Sequence, residues 1–221
     1  MAKNLGKSKR YTLSKLDPEW REKIFSSIKS KRLRLGVAVL TACGCRPHEL
    51  ERGIIVKFHD GHLDIGIHGS KVNEAMGRGQ ALRLLRVDTS TPWGCYLMEA
   101  ALHAGNPLLI RYDAAGISQR LREKSRELWP RRKSLVSAYC YRHYIAKSMK
   151  ESGEAPDKIA STLGHATDFS QNVYGRAGSG KKCTGKHGVL GAVATNPIRH
   201  INKTDRLDRF KVMSPGQNRG F

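Results

Sequence analysis

Five residues, widely separated along the chain, have side chains that could together act on a phosphodiester. They are Arg46, Lys71, Arg142, His165 and Tyr174. Guanidinium groups form paired, charge-assisted hydrogen bonds with phosphate oxygens. A phenol has a pKa near ~10 and is a poor nucleophile at neutral pH unless neighbouring groups activate it. Two arginines, a lysine, a histidine and a tyrosine are therefore a sufficient set for cutting and rejoining a phosphodiester without a metal ion.

The order and spacing of these residues follow three short motifs. The motifs read G-C-R-P-H-E-L at 44–50, Y-C-Y-R-H at 139–143 and L-G-H at 163–165, and the last tyrosine of the set lies nine residues after that histidine. Together they resemble the motifs of the tyrosine recombinases, the phage-integrase family, over residues 12–176. That family usually has a histidine where this chain has Tyr139.

The resemblance implies a role for each of the five residues. Arg46 and Arg142 would bind the non-bridging oxygens of the phosphate and stabilise the pentavalent transition state, with a further hydrogen bond from His165. Lys71 would protonate the leaving 5′ oxygen. Tyr174 would hold the 3′ phosphate covalently, and because that bond conserves the phosphodiester energy, neither ATP nor Mg²⁺ would be needed. No cofactor and no bound metal are therefore expected.

Position 139 modifies this expectation. A histidine there could accept a proton near neutral pH, whereas a tyrosine can donate a hydrogen bond to phosphate but is a weak proton shuttle. Tyr139 is therefore kept in the candidate site, and we expect activity to survive but to be slower.

Two further residues, each within three positions of a candidate arginine, are interpreted as structural. Glu49 could orient Arg46 by an ion pair or cap the following helix, and His143 would support packing.

The charge of the chain indicates a polyanionic partner. Its 221 residues hold 40 Lys+Arg against 19 Asp+Glu, a net charge of +21, so a nucleic acid is the expected partner, with a ribosomal or membrane-surface protein as the simpler alternative. The resemblance implies that this nucleic acid is double-stranded DNA. An aromatic fraction of 7% disfavours a stacking surface for single-stranded nucleic acid.

Five cysteines without zinc spacing are typical of reduced thiols. The sequence has no signal peptide and no apolar run of bilayer length, so we expect no membrane contact and a cytoplasmic, DNA-associated protein.

The hydrophobic pattern predicts an α+β fold, a mostly helical single catalytic domain with a small antiparallel sheet, as in tyrosine recombinases. Three strands are predicted at about 53–58, 62–68 and 81–88, with a hairpin turn between the first two. Helices are predicted to start at Asp17 and to occupy about 32–43, 93–104, 116–128, 137–151 and 155–163.

Local signals place two of the candidate residues at helix ends. Gly44 would end the second helix and Pro47 would begin the next one. Arg46 would then lie at a helix N-terminus, where an anion is favoured. Asp168 and Gln171 predict a capping box for a last short helix that ends at the candidate nucleophile.

Three parts of the chain differ in composition. Residues 1–11 are a basic N-terminal arm, 12–176 the catalytic domain, and 177–221 a Gly-rich tail with nine basic residues against two acidic ones. Val189–Ala194 could form one short helix in an otherwise irregular tail. Two hypotheses for the tail stay open: its apolar stretch docks on a neighbouring protomer, or it is a basic arm that adds phosphate contacts.

The resemblance implies a site-specific recombinase or integrase, as carried by mobile genetic elements, that exchanges strands between two DNA sites. It would act as a tetramer on paired sites, with room for an accessory DNA-bending protein. Residues 1–15 are too few for the N-terminal DNA-clamp domain of most family members, so we expect a minimal-length recombinase or an isolated catalytic domain.

Two alternatives to a recombinase stay open. A type IB topoisomerase would relax supercoils without recombinant products, and a non-catalytic DNA-binding relic would form no covalent adduct.

Overall fold

The computed structural model describes residues 9–73, 77–174, 183 and 187–200. Within them the chain forms eight α-helices, one 3-10 helix and five strands, and none of these helices is both long and apolar enough to cross a membrane. The helices are α1 Lys9–Ser14, α2 Trp20–Ser27, α3 Lys31–Cys43, α4 Pro47–Arg52, α5 Pro92–His103, α6 Ala114–Leu128, α7 Ala138–Glu151 and α8 Pro156–Leu163. The strands are β1 Ile54–His59, β2 His62–His68, β3 Leu82–Asp88, β4 Leu108–Ile110 and β5 Val189–Ala194, and the 3-10 helix is Asp168–Val173.

The strands form one antiparallel sheet in the order β4-β1-β2-β3-β5. Asp60 and Gly61, both with positive φ, make the turn of the β1–β2 hairpin. The three predicted strands and their turn are confirmed, whereas the sequence does not predict β4, which has only three residues. Alternate residues of the central strands are fully buried, as a half-buried sheet requires: Ile54, Val56, Leu63, Ile65, Ile67, Leu85 and Val87.

Helices cover the buried face of this sheet. The Ser30 hydroxyl accepts the Leu33 N–H at 3.4 Å and caps the start of α3, and Gly44 ends it in the left-handed conformation, with φ 60°. Trp20 of α2 packs on Tyr141 of α7, with ring centroids 4.7 Å apart. The predicted helices are confirmed to within two residues at each end, except that α2 begins later than the predicted Asp17.

The stretch Val189–Ala194 is a strand, and the prediction of a short helix there is wrong. It pairs with β3 from Arg83↔Ala194 to Val87↔Val189. A six-residue apolar run has no periodicity that separates helix from strand, and the edge of β3 offers backbone groups that a strand can pair. Most of the predicted arm and tail lies outside the described residues, so docking of the tail on a neighbouring protomer stays a prediction.

Candidate active site

Arg46 lies where the chain leaves α3 and begins α4. Pro47 starts α4, and Arg46 takes the extended conformation before it, with φ −76° and ψ 150°, as predicted for a residue that precedes proline. The Glu49 carboxylate accepts the Arg46 backbone N–H at 2.7 Å and Arg46 Nη1 at 2.6 Å. Glu49 therefore both caps α4 and orients Arg46, so both structural roles considered for this glutamate are present in the structure.

Arg83, which the sequence analysis did not single out, completes this buried cluster. It lies on the inner face of β3 with 1% of its surface exposed. Its Nη2 and Nη1 atoms donate to Glu49 at 2.7 and 3.2 Å, and Nε donates to the Thr162 carbonyl at 3.0 Å. Gly164 is required beside it, because φ is 65° and a Cβ would lie 2.7 Å from Arg83 Nη1. Arg83 thus joins the sheet to the end of α8, which precedes His165.

The negative charge of Glu49 is maintained by the arginines around it. Glu49 is fully buried, and burial alone would raise its pKa. The charge and hydrogen bonds of Arg83, together with the charges of Arg46 and Arg142, outweigh burial and hold the pKa of Glu49 at about 2. One carboxylate therefore faces three guanidinium groups, which leaves excess positive charge in this part of the domain.

Arg142 and His165 meet inside the domain. Arg142 is fully buried on α7, and its guanidinium donates to the carbonyls of Gly44, at 3.2 Å, and Leu163. Its Nη2 lies 3.0 Å from His165 Nε2. Because arginine can only donate, Nε2 accepts and the neutral ring carries its proton on Nδ1. Burial and the charges of Arg142 and Arg46 hold the pKa of His165 at about 2, so the ring stays neutral.

Two donors of this buried group have no hydrogen-bond partner among the described residues. They are Arg142 Nε and His165 Nδ1. Burial, helped by the charge of Arg46, lowers the pKa of Arg142 to about 10, which still leaves it protonated at neutral pH. Buried donors are normally paired. Two unpaired donors beside excess positive charge suit an anion with several oxygens, such as a phosphodiester.

Tyr174 directly follows the 3-10 helix and packs over the buried arginine. Its ring stacks on His165 with centroids 5.3 Å apart, lies 4.9 Å from the His143 ring, and has Arg142 Cζ 4.8 Å from its centroid. Burial raises the pKa of Tyr174, but the charge and hydrogen bond of Arg142 and the charges of two further cations outweigh it and lower the pKa. The arrangement therefore makes the phenol easier to deprotonate, and His143 packs against the tyrosine as interpreted.

The predicted capping box before Tyr174 is wrong, although the helix end at Tyr174 is confirmed. Thr167 occupies the cap position without a side-chain cap hydrogen bond, and Asp168 is already the first helical residue. The Asp168 carboxylate instead lies 3.2 Å from His200 Nδ1, and His200 Nε2 lies 3.4 Å from Asp157. Within the described residues these three side chains are also the one group with ligand atoms close enough to hold a metal ion. The His200 ring, which lies between the two carboxylates, accounts for this grouping.

Lys71 lines the pocket of the candidate site, whereas Tyr139 makes no hydrogen bond or ring contact with the other candidate residues that the structure describes. Lys71 is exposed on the loop after β2 and lines, with Arg46 and His165, an open pocket of about 520 Å³. Tyr139 is half-buried in the first turn of α7, and within the described part of the chain it makes no hydrogen bond or ring contact with the other candidate residues. The structure thus brings five of the six predicted residues together and leaves Tyr139 outside their contacts.

The fold is that of the catalytic domain of tyrosine recombinases, as predicted. The chain is similar to the crystal structure of XerA recombinase, with a TM-score of 0.50 and 16% identity over 91% of this chain and 65% of that one. It is also similar to the XerH site-specific recombinase bound to its difH substrate in a pre-cleavage complex, with a TM-score of 0.51 and 16% identity over 72% of this chain and 49% of that one. The chain therefore spans about half to two thirds of the length of these recombinases. No family profile and no curated protein matches the sequence.

Proposed function

We propose that the protein is a DNA strand transferase that cleaves and rejoins DNA through a 3′-phosphotyrosine. The observation that carries the proposal is the packing of Tyr174 on buried Arg142 and His165, beside a pocket that Arg46 and Lys71 also line. The net charge of +21 supports a polyanionic substrate. The structural neighbours are recombinases, one of them bound to its substrate, which supports DNA recombination as the process.

In the proposed reaction Tyr174 is the nucleophile and Lys71 the general acid. The tyrosine oxygen forms a bond to phosphorus, its proton passes to solvent, and the bond between phosphorus and the 5′ oxygen breaks. Lys71 gives its proton to that oxygen, so a free 5′ hydroxyl leaves. The lowered pKa of Tyr174 makes its phenolate more accessible for the attack. Rejoining reverses each step, with a 5′ hydroxyl as the nucleophile and Tyr174 as the leaving group.

Three groups would stabilise the charge that builds up on the non-bridging oxygens. Arg46 and Arg142 supply guanidinium donors, and His165 supplies the Nδ1–H that has no partner within the described residues. Their positions are fixed before DNA binds, by Glu49 and by the backbone carbonyls of Gly44 and Leu163. Donors that are already in place need no reorganisation in the transition state, which is the usual source of large electrostatic rate effects.

Site-specific strand exchange by four protomers is the finer part of the proposal. Its support is the likeness to site-specific recombinases. The grouping of Tyr174 with two arginines, a lysine and a histidine supports a catalytic role over a non-catalytic relic. A topoisomerase would use the same chemistry, but it would relax supercoils without forming recombinant products.

A covalent trap tests the proposal. Nicked duplexes drawn from DNA that flanks the gene are incubated with the protein and denatured in detergent, so that the short cleaved strand is lost and the adduct persists. We expect DNA attached to Tyr174, identified by peptide mapping, and adduct formation in EDTA. Tyr174→Phe should bind DNA and form no adduct, and the matched control Tyr112→Phe should retain it.

Other results would overturn the proposal. Attachment at Tyr139 or Tyr144 would assign a different nucleophile, and strict metal dependence would assign a different chemistry. Relaxation of supercoils without any recombinant product would identify a topoisomerase.

A further inference from the structure

The chain after β5 returns to the candidate pocket. We call residues 195–199 the return segment. Thr195 forms hydrogen bonds with the backbone of Leu82, its N–H donating to the carbonyl at 3.0 Å. Gln80 is buried, and its Nε2 donates to the carbonyls of Asn196, at 3.0 Å, and His165, at 3.1 Å, while its Oε1 accepts the Asn196 N–H at 2.8 Å. The return segment thus lies between the end of the β2–β3 loop and the backbone of His165.

Arg199 ends the return segment and contacts two segments that line the pocket, one after His165 and one at the end of the loop of Lys71. Its N–H donates to the Ala166 carbonyl at 3.0 Å, and its carbonyl accepts the Asp168 N–H at 3.2 Å. Its guanidinium donates to the Gly77 carbonyl. The position that a Cβ of Gly77 would occupy lies 3.2 to 3.3 Å from Nη2, Cζ and Nη1 of Arg199, so the guanidinium packs directly against this glycine.

The part of the loop that Arg199 contacts also holds the backbone of Lys71. Asn73 and Arg78 exchange two backbone hydrogen bonds, at 2.9 and 2.8 Å, across the loop. A Cβ on Gly79 would lie 2.0 Å from the Lys71 carbonyl oxygen, so the two ends of the loop are in close contact here. Lys71, Arg78 and Arg199 all line the pocket. A shift of the chain at Gly77–Gly79 would therefore shift Lys71.

We infer that Arg199 is a positioning residue for Lys71. From a segment that lies beyond the nucleophile in the chain, it fixes the loop of Lys71 against the segment that connects His165 to Tyr174. The inference rests on the proposed function, in which Lys71 protonates the leaving 5′ oxygen. Proton transfer requires hydrogen-bond distance, and a misplacement of about 1 Å at a reacting group costs on the order of 10²-fold in rate. Lys71 is exposed, so its reach depends on where this loop is held.

A change of leaving group tests whether Arg199 acts through Lys71. The duplex found by the covalent trap is prepared with oxygen or with sulfur as the 5′ bridging atom of the scissile phosphate. A thiolate leaves without protonation, so the sulfur substrate does not need the general acid. Arg199→Ala should slow cleavage of the oxygen substrate by about 10- to 100-fold, and it should cleave the sulfur substrate at about the parent rate, as Lys71→Ala should.

The control and the contrary outcomes are specific. Arg120→Ala removes the same charge from an exposed position on α6 and should change neither rate. Equal losses on both substrates, with weaker binding and a salt slope smaller by about one, would make Arg199 a phosphate contact instead. No loss on either substrate would show that its contact with Gly77 has no catalytic consequence.

Hydrogen exchange separates failure of this inference from failure of the proposed function, because it needs no DNA. In Arg199→Ala the amides of Gly69, Asn73 and Arg78 should exchange about tenfold faster or more, while those of the β1–β2 pair stay protected. Arg120→Ala should leave all of them unchanged. Unchanged protection at the loop overturns the inference even in a protein that cleaves DNA. Faster exchange in a protein that forms no adduct supports the positioning contact and overturns the assigned chemistry.

Discussion

The buried and the exposed parts of the candidate site are built in different ways. The buried part, which we call the buried wall, is the cluster of three arginines around Glu49, of which Arg46 lines the pocket. Side-chain hydrogen bonds of Arg46 and Arg83 at 2.6 to 3.2 Å and the charge of Arg142 hold this cluster together. On the exposed wall Lys71 extends from a loop that is held by backbone contacts and by one arginine of the return segment. In the buried wall the charged side chains themselves are held in place by hydrogen bonds. In the exposed wall only the loop backbone is held, and the Lys71 side chain extends from it.

This difference determines what a substitution does. A buried charge that loses its partner destabilises the fold, because no water replaces the lost hydrogen bonds. An exposed side chain that is removed leaves its neighbours solvated and changes only local geometry. Substitutions in the buried wall should therefore alter both folding and chemistry, and substitutions in the exposed wall should alter chemistry alone.

The largest effect is expected for Glu49→Ala. It leaves buried guanidinium groups without their carboxylate, so the free energy of unfolding should fall by about 3–5 kcal/mol. The pKa of Glu49 is lowered to about 2 in the folded state. Its stabilising contribution is therefore fully present above the unfolded-state pKa of about 4.3 and is lost as the pH falls through about 2. Urea unfolding of parent and variant should converge across that pH window.

Glu51→Ala is the matched control for this prediction. Glu51 lies on the same helix in an exposed pair with His48, at 3.1 Å, so its loss should cost under about 1 kcal/mol. Similar losses for the two glutamates would contradict the description of the buried wall. A difference that persists undiminished at pH 2 would contradict the assigned charge of Glu49.

The next effect is on catalysis, from Arg142→Lys. Lysine keeps the charge but loses the planar fork that donates to two carbonyls and to His165. Adduct formation in a single turnover should slow by about 10²–10³-fold, as for removal of a preorganised oxyanion donor. DNA affinity by gel shift should fall by no more than about threefold, since a chain with 40 Lys+Arg has many other basic residues that could contact phosphates. Parallel losses in rate and affinity would reduce Arg142 to a binding residue.

The smallest effect is expected at Tyr139. Its ring is half-buried and, within the described residues, makes no hydrogen bond or ring contact with the candidate site. Tyr139→Phe and Tyr139→His should therefore form adduct within about threefold of the parent rate, with an unchanged pH profile. A larger loss in the phenylalanine variant, or a shift of the profile toward neutral pH in the histidine variant, would place this side chain on the phosphate.

The sequence predicts the parts of the site that obey local rules. A proline at 47 disfavours a helical conformation for the residue before it, so the sequence places Arg46 at the start of a helix without any tertiary contact. The strands around Asp60 and Gly61 follow from alternation and a turn signal. The order and spacing of the short motifs indicate which side chains belong together.

Arg83 and the return segment depend on tertiary contacts that local rules do not contain. β3 reads L-R-L-L-R-V-D, with apolar residues on both faces, so alternation does not tell whether Arg83 or Leu84 points inward. In the structure Leu84 is 47% exposed and Arg83 is buried, because Glu49 compensates the arginine's charge. The sequence predicts a helix at β5 because its apolar run has no periodicity that separates helix from strand. Only the backbone pairing with β3, a tertiary contact, makes this segment a strand.

The pairing of β5 within the chain's own sheet also has a consequence for where Tyr174, the proposed nucleophile, would act. Tyr174 has folded structure on both sides of it, the 3-10 helix before it and β5 after it. A DNA strand joined to this tyrosine would be attached inside a closed loop of one polypeptide, whose ends are anchored in the same domain. In the proposed reaction such a tyrosine would act on the strand in its own pocket. In a mixed assembly of parent and Tyr174→Phe subunits, we expect the strand bound to a Tyr174→Phe subunit to remain uncut.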